Sequence, residues 1–87
     1  MISPQQKKAI TDGIERFLRE RCFAEGEPIP PDENLFLSGR LSSFEMIELV
    51  LFIESEFSVT IDPLKITVEN LGSLNSITAF LVDLVEL

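Results

Sequence analysis

Apolar residues recur at helical spacing near both ends of the 87-residue chain. The first pattern predicts a helix over about residues 4–21, with Ser3 as its cap and Pro4 at its first position. The last pattern predicts a helix over residues 74–87, with Ser73 as its cap. In each helix the apolar residues form one stripe that faces a core. The predicted stripes are Ile10, Ile14, Phe17 and Leu18 in the first helix, and Leu74, Ile77, Phe80, Leu81 and Leu84 in the last.

The middle of the chain divides into a long loop, a second helix and a short third helix. Glycines and prolines interrupt residues 22–41, where we predict a loop that Leu35, Phe36 and Leu37 pin onto the core. Residues 43–57 contain neither glycine nor proline and predict a helix, whereas residues 63–71 predict one or two helical turns. The chain is therefore expected to form a single all-α domain over residues 1–87. Its expected fold is a four-helix bundle with a long first loop and a short third helix.

The second helix carries more apolar residues than one core stripe requires. One set falls within about 60° of a single direction and makes an adequate core face. A further set, Phe44, Ile47 and Leu51, falls on the flank of the helix. Two interpretations are open: neighbouring helices cover both sets, or the flank is exposed and docks a partner protein. The set predicted to face the core is Met46, Leu49, Val50, Ile53 and Phe57.

Two adjacent serines open this helix. Ser42 is placed as the N-cap, because its hydroxyl can accept from a backbone N–H one turn on and Glu45 can reach back to complete a capping box. Ser43 then occupies the first helical position, where the cap does not need its hydroxyl. A phosphate ester on that oxygen would lie beside unpaired N–H groups at the positive end of the helix. The pair is thus predicted to divide into a structural serine and a candidate attachment site.

The acidic balance of the chain limits the classes of partner. The net charge is −8 and histidine is absent, so nucleic acid and anionic membranes would be repelled whereas a basic protein surface would be attracted. No segment has the length of a membrane span or the pattern of a signal peptide, and a cytoplasmic location is expected. The single cysteine, Cys22, excludes an internal disulfide and is expected to be a buried hydrophobe near a helix end.

The sequence contains no recognisable catalytic motif. Without histidine, Cys22 lacks the base that usually activates a thiol, and neither a Gly-rich phosphate loop nor metal-ligand spacing is present. Surface carboxylates such as Asp32, Glu33 and Asp62 would bind a divalent cation only weakly. We therefore expect no catalytic residues and no metal site, so an independent enzyme is not expected.

The segment NLFLSGRLSSFEMIELVLFIESEF, residues 34–57, resembles the acyl and peptidyl carrier protein family, whose members carry 4′-phosphopantetheine on a serine. The family pattern there is a glycine, one or two residues, then Asp-Ser-Leu or Asp-Ser-Phe, and an apolar and acidic helix. LSSF, residues 41–44, is similar to the Leu-Asp-Ser-Phe of D-alanyl carrier proteins, with Ser42 in place of the usual aspartate. ITVENLGSLNSITAFL, residues 66–81, is similar to the short third helix of the family and its entry into the fourth.

The resemblance implies roles for the residues around the serine pair. Ser43 matches the serine that bears phosphopantetheine, and Ser42 is the helix cap beside it. Serine keeps the capping function of the usual aspartate but removes a negative charge next to the attachment site. The positions that match partner contacts in the family are Phe44, Glu45, Ile47, Glu48 and Leu51.

The function implied by the resemblance is that of an acyl or aminoacyl carrier without catalytic activity of its own. The cargo would be held as a thioester on the phosphopantetheine arm, for fatty acid or secondary metabolite biosynthesis. The expected partners are a phosphopantetheinyl transferase, an acyl- or aminoacyl-activating ligase and a downstream acyltransferase or synthase, all with basic docking patches, and the carrier itself is expected to be a monomer. The alternative is an unmodified protein of the same fold that binds partners through its second helix.

Overall fold

The computed structural model describes residues 2–86, which form four α-helices and one 3₁₀ turn without a strand in that range. The predicted all-α bundle, with a long first loop and a short third helix, is confirmed. The expected third helix is divided into the 3₁₀ turn and a single turn of α-helix. None of the helices between residues 2 and 86 is long and apolar enough to cross a membrane. The elements are α1 (Pro4–Arg21), α2 (Ser43–Phe57), the 3₁₀ turn (Pro63–Lys65), α3 (Val68–Leu71) and α4 (Leu74–Glu86).

Side-chain caps define where the helices begin. Before α1, the Ser3 hydroxyl accepts from the Gln6 N–H at 3.1 Å, and the Gln6 side chain accepts from the Ser3 N–H at 2.8 Å. Before α4, the Ser73 hydroxyl accepts from the Ser76 N–H at 3.1 Å. Thr67 caps α3 in the same way. Because each cap satisfies N–H groups that the helix itself leaves unpaired, these starting points are encoded locally.

The apolar stripes of α1, α2 and α4 meet in one core. Ile14, Leu49 and Ile77, one from each helix, are completely buried. α1 packs against both α2 and α4, and α3 packs against α4. The helical spacing of the apolar residues in α2 predicted its core face correctly, because four of the five predicted residues are buried. Three residues of the predicted stripes are half-buried at the edge of the core: Phe57, Phe80 and Leu84.

The long first loop is held against the core by two residues of its apolar triplet, Leu35 and, at the edge of the core, Phe36. Leu35 is completely buried, and its N–H donates to the Gly72 carbonyl at 2.6 Å. Phe36 is half-buried, but Leu37 is 85% exposed, so its predicted anchoring role is wrong. The triplet lies in a tight turn in which the Asn34 carboxamide oxygen accepts from the N–H groups of residues 36 and 37. Three successive side chains in such a turn point in different directions, so one of them faces solvent.

Arg40 joins the two ends of this loop. Its guanidinium pairs with the Glu27 carboxylate, donates to the Cys22 carbonyl at 3.2 Å and lies 4.7 Å from the centroid of the Phe23 ring. An exposed ion pair alone is weak, but here one side chain makes three contacts to residues 22–27. The chain that leads to Ser42 consequently has a defined path, although it follows a long segment without helix or strand.

We predict that Gly72→Ala destabilises the fold, because Gly72 lies where α3 meets the first loop. An added Cβ would lie 2.8 Å from the Asn34 amide nitrogen and would collide with the Val68 carbonyl oxygen. A loss of about 1–3 kcal/mol in the free energy of unfolding is expected, measured by urea denaturation.

Gly13→Ala is the matched control for this substitution. A Cβ at Gly13 would lie 3.1 Å from the edge of the Phe57 ring, a side chain that can shift. Alanine would also add about 1 kcal/mol of helix propensity inside α1. This variant should stay within about 1 kcal/mol of the wild type. An equal loss in both variants would contradict the close contact at Gly72 as the reason for glycine.

Candidate functional site

The start of α2 contains a complete capping box. Ser42 is the N-cap, with φ −84° and ψ 171°, and its hydroxyl accepts from the Glu45 N–H at 3.2 Å. In return, the Glu45 carboxylate accepts from the Ser42 N–H at 2.9 Å. Ser43 is the first residue of the helix proper. The hydrogen bonds that begin the helix are therefore made by Ser42 and Glu45, and they leave the Ser43 side chain unused.

Ser43 is exposed at the positive end of α2. Among residues 2–86, no hydrogen bond involves its hydroxyl. The first N–H groups of a helix have no intrahelical partner and favour a negative charge nearby. A groove of about 480 Å³ elsewhere, beside Phe80 and Leu84, does not include this residue. The hydroxyl is thus open to a large reaction partner and can accept a phosphate ester without disturbing the cap.

Glu45 connects the cap to the end of α1. The hydrogen bond from the Ser42 N–H is the largest cause that lowers the pKa of Glu45, and the Cys22 thiol, 3.7 Å from the carboxylate, adds to it. Burial, reinforced by the negative charge of Glu45, raises the pKa of Cys22 to about 11. Cys22 is half-buried against the core rather than fully buried, and its thiol stays protonated and unreactive at neutral pH.

The flank of α2 is uncovered. Phe44, Ile47 and Leu51 are 69%, 59% and 61% exposed. Of the two interpretations open at the level of sequence, the structure therefore favours the exposed flank. Residues spaced by three and four positions lie along one side of a helix, so these three side chains form a continuous apolar strip that begins next to Ser43. We call Phe44, Ile47 and Leu51 the exposed stripe.

The carboxylates of α2 are engaged within the chain. Glu48 accepts from the Arg21 guanidinium at 2.9 Å, and Glu56 accepts from Arg16 at 3.0 Å. Glu54 accepts from a backbone N–H at 2.9 Å, and Glu45 belongs to the capping box. The two arginines come from α1, 27 and 40 positions away in the sequence. Sequence reasoning identified the acidic side chains but missed these arginines, because no local pattern links them to α2.

Two of the three carboxylates considered for cation binding, Asp32 and Asp62, make structural hydrogen bonds. Asp32 accepts from the Asn75 side chain at 2.6 Å, and Asp62 accepts from the Leu64 N–H at the 3₁₀ turn at 3.0 Å. Within residues 2–86, no three side chains of Asp, Glu, Cys or His gather closely enough to hold a metal ion. These contacts tie the first loop to α4 and begin the 3₁₀ turn.

We predict that the two serines differ in their contribution to stability. Ser42→Ala removes the cap and should lower the free energy of unfolding by about 1 kcal/mol, whereas Ser42→Asp should retain it because aspartate caps helices equally well. Ser43→Ala is the matched control and should change stability by less than about 0.5 kcal/mol. Urea denaturation measures all three variants. Similar losses from Ser42→Ala and Ser43→Ala would contradict the assignment of the cap.

We also predict a pH-dependent contribution from Glu45. The pKa of Glu45 in the folded protein lies below its ordinary value of 4.5. The charged form of Glu45 therefore stabilises the fold when the pH is above 4.5. This contribution is lost as the pH falls through the folded pKa. Glu45→Gln keeps a capping side chain without the charge. The wild type should exceed this variant in unfolding free energy at about pH 6, and the difference should shrink towards about pH 3.

The control for Glu45→Gln is Glu20→Gln, at an exposed position of α1. The difference in unfolding free energy between Glu20→Gln and the wild type should vary less over this pH range than the difference for Glu45→Gln. A difference for Glu45→Gln that stays constant with pH would show that the negative charge of Glu45 does not strengthen the cap.

Comparison with known proteins identifies the family. Residues 9–81 match the family described as the phosphopantetheine attachment site. A search of curated proteins found no match. Members of the matched family carry 4′-phosphopantetheine covalently on a serine, hold cargo on it, and interact with modifying and biosynthetic enzymes. The matched region includes most of α1, all of α2 and α3, and more than half of α4. The chain therefore belongs to the phosphopantetheine attachment family and is a carrier protein.

Proposed function

We propose that Ser43 bears the phosphopantetheine arm and that the chain carries an acyl or aminoacyl group. The observation that carries this proposal is the division of the serine pair. Ser42 makes the hydrogen bonds of the cap, and Ser43 keeps an exposed hydroxyl at the positive end of α2. Both serines lie inside the matched region.

The residues around Ser43 fit a phosphate ester. In the transfer from coenzyme A, the Ser43 oxygen would lose its proton and form the bond to phosphorus, while the diphosphate bond breaks and adenosine 3′,5′-bisphosphate leaves. The N–H groups of the first turn would lie beside the negative charge of the resulting phosphate ester. Ser42 holds Ser43 at the first helical position, and the contacts of Arg40 hold the loop that precedes both serines. The attached group supplies a terminal thiol on which cargo is held as a thioester. The role of this chain is to bind the arm at a fixed point and present it.

The proposed partners are the enzymes that load, modify and unload the arm. They are a phosphopantetheinyl transferase, an acyl- or aminoacyl-activating ligase and a downstream acyltransferase or synthase. A net charge of −8 favours partners that carry basic groups, because opposite charges steer the encounter. The exposed stripe begins one residue after Ser43 and is the proposed contact surface.

The test is the intact mass of the chain after incubation with coenzyme A and a broad-specificity phosphopantetheinyl transferase. One phosphopantetheine group should be added to the wild type and none to Ser43→Ala. Ser42→Asp is the matched control and should still be modified, because aspartate replaces the neighbouring serine and retains the cap. No added mass in the wild type, or added mass that persists in Ser43→Ala, would overturn the proposal.

The exposed stripe also favours a second candidate, an unmodified module that binds partners through α2. This candidate requires no added mass and full biological function in Ser43→Ala. Loss of function in that variant, with its fold intact, would exclude it.

A further inference from the structure

The two carboxylates of α2 nearest to Ser43 accept hydrogen bonds from the last residue of α1 and from its C-cap residue. Arg21 donates to Glu48 at 2.9 Å, and the side chains of Arg21 and Glu48 are 49% and 24% exposed. The Cys22 thiol lies 3.7 Å from Glu45, which also closes the capping box. The end of α1 therefore lies along the first two turns of α2, on the acidic positions that flank the exposed stripe.

This arrangement leaves little net charge for a partner to bind at this end of α2. The opposite charges of Arg21 and Glu48 cancel, because the two groups are much closer together than the screening length of physiological salt. A cation that approaches Glu48 is attracted by the carboxylate and repelled by the adjacent guanidinium. Glu45 is in turn compensated by the positive end of its own helix. Separate sites elsewhere on the chain carry the remaining negative charge.

Burial of the exposed stripe would contribute more binding free energy than new ion pairs with these carboxylates. Burying an exposed Phe, Ile or Leu side chain contributes roughly 1.5–3 kcal/mol, whereas an exposed ion pair typically contributes about 0–1 kcal/mol. A partner that formed a new ion pair with Glu48 would also have to displace or share Arg21. Close contact at Ser43 should therefore depend on apolar burial.

We propose that Arg21 neutralises Glu48, so that the enzyme acting at Ser43 binds α2 through an apolar recess for the exposed stripe rather than through a basic patch. This inference rests on the proposed function and specifies the chemistry of the partner surface. Basic groups of the partner act at longer range, on the encounter. Glu45 and Glu48, the acidic positions that the family resemblance assigned to docking, contribute little to the contact while Arg21 is in place.

The experiment measures kcat/KM for phosphopantetheine transfer from coenzyme A to the full chain by a broad-specificity transferase. Ile47→Ala should lower kcat/KM by about tenfold, the equivalent of about 1.4 kcal/mol. Glu48→Gln, on the neighbouring position, should change it by less than about twofold. Val85→Ala, an exposed apolar position on α4, is the matched control and should leave it unchanged.

A double-mutant cycle tests the role of Arg21 directly. Arg21→Gln should release Glu48, so that Glu48→Gln in this background lowers kcat/KM by about three- to fivefold at low salt. That loss should become smaller as the salt concentration rises towards about 150 mM, because salt screens the released carboxylate.

Three outcomes would overturn the inference. A loss in Glu48→Gln alone as large as that in Ile47→Ala would show that the carboxylate docks the partner despite Arg21. Equal effects of Glu48→Gln with and without Arg21 would show that Arg21 does not compensate it. A wild-type chain that gains no mass would overturn the proposed function, and this inference with it, whereas the first two outcomes leave the proposed function standing.

Discussion

The hydrogen bond from the Glu45 N–H to the Ser42 hydroxyl is the interaction on which the site depends. It decides that α2 begins at Ser43 and not one residue earlier or later. If Ser43 were the cap, its oxygen would be engaged with the backbone and turned towards the helix. Since Ser42 takes that role, Ser43 combines exposure with the favourable field of a helix start. Ser42 stands where the resemblance places an aspartate, and both side chains can accept the same capping hydrogen bond.

The loop that precedes α2 contributes by its restricted path. The Leu35 side chain is buried, and the Leu35 N–H donates a hydrogen bond to the Gly72 carbonyl. Arg40 connects the two ends of the loop through its contacts with Glu27 and with residues 22 and 23. A long loop free to move would hold the start of α2 less firmly against the rest of the bundle. Here the apolar side chains of Leu35 and Phe36 and the cation of Arg40 restrict that freedom.

The charge of the chain acts at two ranges. The total of −8 creates a field that extends over roughly the screening length and attracts basic surfaces. At the surface of α2 itself, two arginines of α1 pair with two of the four carboxylates, Glu48 and Glu56. A count of acidic residues along α2 therefore overstates how acidic the helix is to a molecule in contact with it. Apolar area and net charge can thus have separate roles, the first in contact and the second in encounter.

The sequence by itself determined the three long helices α1, α2 and α4, their caps and most of their core faces, because these depend on neighbours within one turn. It also indicated the family and identified Ser42 as the cap beside Ser43, since both signals lie in one contiguous segment of the sequence. Only the tertiary structure decided that the flank of α2 is uncovered, that Leu37 faces solvent and that Arg21 meets Glu48. Those outcomes depend on which surfaces the packing of α1 and the first loop against α2 leaves open, and side chains far apart in sequence meet only when that packing is complete.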